Sequence, residues 1–225
     1  MSKSKSRRQQ IQPKSALSRN WLAYSVAAVI VIVAGYLVFT LVFRNAAAPG
    51  AAASGTKQWS SVPPMSIDVN RQYTAHIQTV KGTIDVQLLP KAAPIAVNSF
   101  VFLARQHYFD GVTFHRVIPG FMAQGGDPTG TGSGGPGYTF DNEVSSGLTF
   151  DSAGIVAMAN TGQPNSNGSQ FFITYAPRPD LNGGYTIFGK VTNGLNVAQA
   201  LTPRDPQQNP NFTGDKINTI TIDEQ

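Results

Sequence analysis

The chain has 225 residues, a formal net charge of +5 and no cysteine, which excludes disulfides, thiolate metal sites and lipid attached through a thiol. Lys3, Lys5, Arg7, Arg8, Lys14, Arg19 and Arg44 put seven positive charges in the first 44 residues with no acid among them, leaving residues 45–225 a net charge of −2. The high pI therefore belongs to the N-terminal segment, and the remainder has no basic footprint for nucleic acid.

In chain order, residues 1–20 read as a basic tail. Trp21 to Phe43 comes next as 23 residues without a charge, flanked by Arg19 and Arg44, and that exceeds the roughly 20 residues a helix needs to cross a bilayer. The basic excess on its N-terminal side predicts a single-pass anchor with the N-terminus cytoplasmic and everything after Arg44 extracytoplasmic. A cleaved signal peptide is the competing reading, because Ala46, Ala47 and Ala48 are small. The apolar run is longer than a signal peptide's usual core of about 7 to 15 residues, which favours a retained anchor in the cell membrane. So simple an anchor fits a bacterial inner membrane. Residues 44–71 are expected to be flexible linker: Asn45 to Thr56 is Ala, Gly, Pro and Ser, and Pro63 and Pro64 interrupt the stretch from Lys57 to Arg71. Whether Trp59 docks on the folded part is open on sequence grounds.

The folded domain is expected over residues 72–225. Tyr73, Ala75 and Ile77 alternate with polar residues, and Ile84, Val86 and Leu88 do so again beyond a turn at Lys81 and Gly82, which predicts an antiparallel hairpin. Pro94 suits the first position of a helix, and Val97, Phe100, Val101 and Ala104 give its buried face. A second helix is expected at Leu195 to Leu201. Short apolar runs separated by Gly, Pro and Asn lie at Thr113 to Ile118, Phe121 to Gln124, Ile155 to Ala159, Phe171 to Thr174, Thr186 to Val191 and Ile217 to Ile222. Many short strands with two helices predict a mainly β fold, a closed antiparallel barrel with helices over its open ends. Gly130, Gly132 and Gly135 satisfy a GxGxxG pattern, but Pro136 and Gly137 stop any helix from starting there, so no phosphate cradle is expected. The stretch reads as a mobile glycine loop.

Phe114 to Asp127, FHRVIPGFMAQGGD, carries the chemistry. It sets the guanidinium of Arg116 near the apolar Phe121 and Met122 and the neutral amide of Gln124, with no residue placed as a nucleophile. Such a set suits an apolar substrate that needs one hydrogen bond at a developing lone pair, and a prolyl peptide bond is one. Twisting it breaks amide resonance, so the nitrogen becomes an acceptor that neither planar state offers. A donor aimed there binds the twisted form selectively. The barrier of about 18 to 20 kcal/mol needs lowering by only about 3 to 6 kcal/mol for a turnover of roughly 10 to 1000 per second. No metal or cofactor is required.

This stretch, with GIVAMAN from Gly154 to Asn160, NGSQFFI from Asn167 to Ile173 and FGKV from Phe188 to Val191, resembles the cyclophilins, a family of peptidyl-prolyl cis-trans isomerases. The resemblance runs from about Tyr73 to Asp223. It implies an eight-stranded antiparallel barrel and proline-containing polypeptides as substrates. It further implies Arg116 as donor to the prolyl nitrogen, with Gln124 steadying the guanidinium and Phe121 beside them. Phe121, Met122, Phe172 and Leu181 would form the proline pocket, closed by Tyr185. Asn160 would bind the carbonyl before proline through its N–H, and Ala159 and Gln170 would line the channel for that residue. His115 is expected on the opposite face from Arg116, as a structural residue.

Asp180 stands where the best-known eukaryotic members have a tryptophan, and Tyr185 where they have a histidine. An aspartate cannot replace an indole N–H, so cyclosporin is expected to bind weakly. The expected role is that of a tethered monomer assisting the folding of exported proteins. The alternative is a catalytically idle module that docks proline-containing segments. A serine hydrolase built on Ser169 lacks the strained turn such a nucleophile needs.

Overall fold

The computed structural model describes residues 57–208 and 211–225. Its first hairpin pairs β1 (Tyr73–Thr79) with β2 (Gly82–Leu88) in the register that places Ile77 opposite Ile84 and Ala75 opposite Val86. The apolar set of both strands is buried, as period-two patterning requires. The remaining strands are β3 (Arg116–Ile118), β4 (Met122–Gly125), β5 (Ile155–Met158), β6 (Phe171–Thr174), β7 (Ile187–Asn193) and β8 (Ile217–Glu224). They form one eight-stranded sheet in the order β3-β4-β6-β5-β7-β2-β1-β8.

The expected closed barrel is met as a curled sheet, because the edge strands β3 and β8 do not pair with each other. The seam between them is stitched by irregular chain. Gly111 donates to the Ile217 carbonyl and Ile217 to that of Val112, both at 2.8 Å, while Val117 and Arg204 exchange bonds of 2.7 and 2.9 Å. Pro203 and Pro206 flank this second bridge, and without amide hydrogens they cannot extend it into a ladder.

Helix α1 (Pro94–Arg105) begins on its proline and has no side-chain cap from Ala93. Glu143 supplies the cap from a distance, its carboxylate accepting from Ile95 and Ala96 at 3.0 and 2.9 Å. The helix buries Val97, Phe100, Val101 and Ala104, and Phe100 packs on Phe109, Phe171 and Phe188 with ring centres 5.2 to 5.5 Å apart. Helix α2 is the short Leu195–Gln199.

The linker expected over residues 44–71 is shorter than its composition predicts, since residues 57–71 lie against the domain, in part on α1. The buried Asn98 donates to the carbonyls of Pro63 and Pro64 at 3.1 Å and accepts from the Ser66 N–H at 2.9 Å. Trp59 sets its ring edge-on to Phe102, 5.2 Å between centres. Prolines have no amide hydrogen to satisfy, so one buried asparagine meets the polar needs of the Pro63–Ser66 stretch of this strap. Among the described residues no helix is long and apolar enough to cross a membrane. The basic tail, the anchor at 21–43 and the linker up to residue 56 lie outside the described residues.

Candidate active site

The two faces of the curled sheet hold different apolar sets. Val117, Ala123, Phe171, Ile173, Val156, Met158 and Phe188 belong to the main core with α1. Their alternating neighbours Met122, Phe172, Ala157, Ile155 and Ile187 form a second, separate cluster with Phe150. Strand register aligns one row across it: Arg116 lies opposite Gln124, Gln124 opposite Phe172, Phe172 opposite Ala157, and Ala157 opposite Ile187. A guanidinium, an amide and an apolar hollow thus stand side by side because successive strands present the same face.

The hollow is walled by rings. Phe150 stacks on Phe172 at 5.9 Å with planes 10° apart, and Tyr185 meets Phe172 edge-on at 5.4 Å. Met122 and Phe172 are buried floor; Phe121, Leu181 and Tyr185 are half-buried at the rim. Arg116 is half-buried, its guanidinium 5.8 Å from the centre of the Phe121 ring. No carboxylate among the described residues lies within ion-pair distance of it, so its donors are free for a substrate.

Gln124 sits directly across the strands from Arg116, but its Nε2 donates to Gln170 Oε1 at 2.9 Å, and no hydrogen bond joins it to the guanidinium. Gln170 in turn donates to the carbonyls of Gly132 and Gly134 at 3.0 and 2.9 Å. The glycine loop, expected to be mobile, is wound around one buried carboxylate. Asp127 accepts from the Thr129 N–H and hydroxyl at 2.7 and 2.8 Å, and from the Gly132 and Gly134 N–H groups at 2.6 and 3.1 Å. A Cβ at Gly134 would fall 2.1 Å from Asp127 Oδ1. Burial alone would push the Asp127 carboxyl up, yet these donors hold it below the usual carboxylate range.

Beside the hollow opens a cavity of about 790 Å³ lined by Gln124, Ala159, Asn160 and Gln170 together with the glycine loop. Asn160 spends its side chain on Asn142 Oδ1 and the Gly184 carbonyl, at 3.2 and 3.0 Å. Its backbone N–H makes no main-chain hydrogen bond among the described residues. All ten residues expected at the site therefore fall along one strip, running from this cavity through the aromatic hollow to Leu181. His115 is buried with neither ring nitrogen partnered. Burial pushes its pKa down, the Asp127 charge opposing and the Arg204 and Arg116 charges adding to the effect, so it is a neutral ring beneath the loop.

Sequence reasoning missed three contributors. Phe150 stacks within the hollow but lies in irregular chain whose residues show no period. Asn142, from the same stretch, accepts from Asn160, Asn167 and Thr186 at 3.0 to 3.3 Å. Arg178 lies over Phe121 at 3.9 Å from the ring centre and grips Asp180 through Nε and Nη2 at 2.9 and 2.7 Å. The spacing of Arg178 and Asp180 was the signal available.

A curled eight-stranded sheet carrying an aromatic hollow beside an unpaired guanidinium defines a scaffold for rotating a bound peptide bond. The family model described as cyclophilin type peptidyl-prolyl cis-trans isomerase/CLD matches residues 74–222. A peptidyl-prolyl cis-trans isomerase of Schizosaccharomyces pombe is 52% identical over 128 residues, covering 56% of this chain and 82% of the relative. Peptidyl-prolyl cis-trans isomerase B of Bacillus subtilis is 50% identical over 122 residues, covering 54% and 85%. Among solved structures, a cyclophilin type isomerase of Cryptosporidium parvum superposes with a TM-score of 0.62 at 40% identity, over 69% of this chain and 99% of that one. The same protein crystallised in the presence of the dipeptide Ala-Pro gives the same TM-score of 0.62. The chain belongs to the cyclophilin family and is a peptidyl-prolyl cis-trans isomerase.

Proposed function

We propose that this isomerase works on proline-containing segments of exported proteins, seating the proline ring in the hollow of Phe121, Met122, Phe172, Leu181 and Tyr185. The residue before proline enters the cavity beside Ala159 and Gln170, and its carbonyl accepts from the Asn160 N–H. The observation that carries this reading is the row from Arg116 to Ile187, which puts an unpaired guanidinium at the edge of an apolar hollow separate from the core.

With the proline ring held, the preceding carbonyl swings about the C–N bond. As resonance breaks, the prolyl nitrogen pyramidalises and Arg116 donates to its lone pair, a bond absent from both planar states. A charge-assisted hydrogen bond in a partly dry site, together with fixed substrate geometry, meets the roughly 3 to 6 kcal/mol required. Gln124 and Gln170 act behind this step, tying the strand that faces Arg116 to the glycine loop. The Ala-Pro dipeptide present with the Cryptosporidium protein supports a proline-containing ligand.

The location is inferred from the sequence. An uncharged run at residues 21–43 behind a basic tail makes the protein a single-pass, bacterial-type membrane enzyme with its catalytic domain outside the cytoplasm. The direct test is acceleration of cis-to-trans conversion in a proline-containing peptide by the full-length chain, with Arg116→Ala as control. Equal rates for the two proteins would overturn the assigned role of Arg116. Protease digestion of intact cells that spares the domain while cleaving known external proteins would overturn the location.

A further inference from the structure

The strap contributes more than a lid on α1. Its first residues touch the glycine loop, with the Trp59 N–H donating to the Pro136 carbonyl and Gln58 Nε2 to the Gly135 carbonyl, both at 2.8 Å. Gly137 has a φ of +91°, and a Cβ there would lie 2.6 Å from the Trp59 carbonyl oxygen and 2.7 Å from Gln58 Oε1. Strap and loop are thus in backbone contact with no space for a side chain between them. Trp59 is held from its other side by Phe102 and by Tyr108, ring centres 5.2 and 5.9 Å away. The Tyr108 hydroxyl reaches the buried Ser169 hydroxyl at 3.0 Å, one residue from Gln170. Both routes out of Trp59, through the loop and through Tyr108, arrive at the same wall of the cavity.

Gln58 itself lines that cavity with Gln124, Ala159, Asn160 and Gln170. We propose that Gln58 and Trp59 are specificity-determining positioning residues: they fix the glycine loop as the outer wall of the cavity and so set how the enzyme ranks residues preceding proline. The inference rests on the proposed role of this cavity as the seat of that residue. It places part of substrate selection in chain lying before residues 74–222, the region shared with the family. In that seat a large pre-proline side chain would meet the loop wall, and a glycine would not. The ranking of large against small substrates is therefore what the strap controls.

The test measures kcat/KM of the full-length chain on peptides that differ only before proline, with Gly, Ala, Leu and Phe there, for the native protein and for Gln58→Ala, Trp59→Ala and Ala159→Val. A change of about threefold or more in the Phe-to-Gly ratio for either strap variant, larger in KM than in kcat, upholds the inference. If Ala159→Val shifts the ratio while neither strap variant does, the strap proposal fails and the cavity assignment stands. If no variant shifts it, both fail. Gln58 is exposed, so Gln58→Ala decides the matter should Trp59→Ala not fold. Amide exchange gives a readout separate from turnover: Gly132 and Gly134 should exchange faster in Trp59→Ala, and unchanged exchange would show that the strap does not hold the loop.

Discussion

The guanidinium of Arg178 lies 3.9 Å from the centre of the Phe121 ring while its edge is engaged by Asp180. Arg116 approaches the same ring to 5.8 Å, so Phe121 is shared by two cations of different duty. Removing Arg178 frees Phe121 to change rotamer at the rim of the hollow. Arg178→Ala should raise KM for proline peptides by about two- to fivefold with kcat little changed, the pattern of lost ground-state binding. Steady-state kinetics over a range of substrate concentration would show it, and a fall in kcat alone would contradict it.

Arg116 has no ion-pair partner to lose among the described residues. Its replacement should therefore damage catalysis and spare the fold. Arg116→Ala is expected to lower kcat/KM by about 100-fold or more, the scale on which a donor to developing charge acts, with a melting temperature close to native. Arg116→Gln keeps a donor without the charge and should fall between the two. A large drop in melting temperature would instead assign the residue a structural role.

Asp127 gathers four donors around one buried carboxylate. Asp127→Ala leaves them unsatisfied and should destabilise the domain by about 3 kcal/mol in denaturant unfolding, with turnover falling as Gln170 loses its carbonyl partners. Asp127→Asn, which keeps the size but not the charge, should lie between. Native stability after Asp127→Ala would mean that water replaces the carboxylate.

Two histidines make stability depend on pH in opposite directions. His76 is held by Asp85 at 2.7 Å and Asp223 at 3.1 Å, and the bond to Asp85 chiefly raises its pKa. Its contribution is complete below the unfolded value of about 6.5 and is lost as pH rises through the raised value. His115 is buried neutral with a lowered pKa, so it costs stability as pH falls below about 6.5, where the unfolded chain takes up the proton first. Unfolding followed from pH 5 to 9 should therefore flatten on the alkaline side in His76→Gln and on the acid side in His115→Phe. Parallel curves for all three proteins would refute both assignments.

Asp180 is exposed and paired with Arg178, and a carboxylate has no N–H to offer in place of the indole that the family resemblance leads one to expect there. Inhibition by cyclosporin should be weak, and Asp180→Trp should strengthen it by about tenfold, one hydrogen bond with its packing. Nanomolar inhibition of the native enzyme in a peptide assay would overturn this.

The hairpin and α1 were legible because their apolar residues repeat at two or at three and four, and short strands such as Ile155–Met158 and Phe171–Thr174 because they are largely apolar runs bounded by Gly, Pro and Asn. The site was legible for a different reason, since Arg116, Gln124 and Phe172 stand in motifs that resemble a known family, and the strand register then sets them on one face. What sequence could not supply came from irregular chain. Phe150 and Asn142 reach the site from a stretch with no period, and the glycine loop looked mobile because Asp127 satisfies it from outside the run of glycines. The strap looked like linker for a similar reason: its prolines are held by Asn98, a polar residue within a helix face that periodicity marks as buried. The seam at β3 and β8 depends on Arg204, which nothing in its neighbourhood marks as a bridge.

The separation of the two apolar clusters has an evolutionary corollary. The apolar side chains of the hollow are not those of the main core, so Phe121, Leu181 or Tyr185 can be exchanged over generations without endangering the packing between sheet and helix. A lineage can thereby reshape the hollow while Arg116 keeps its place in β3.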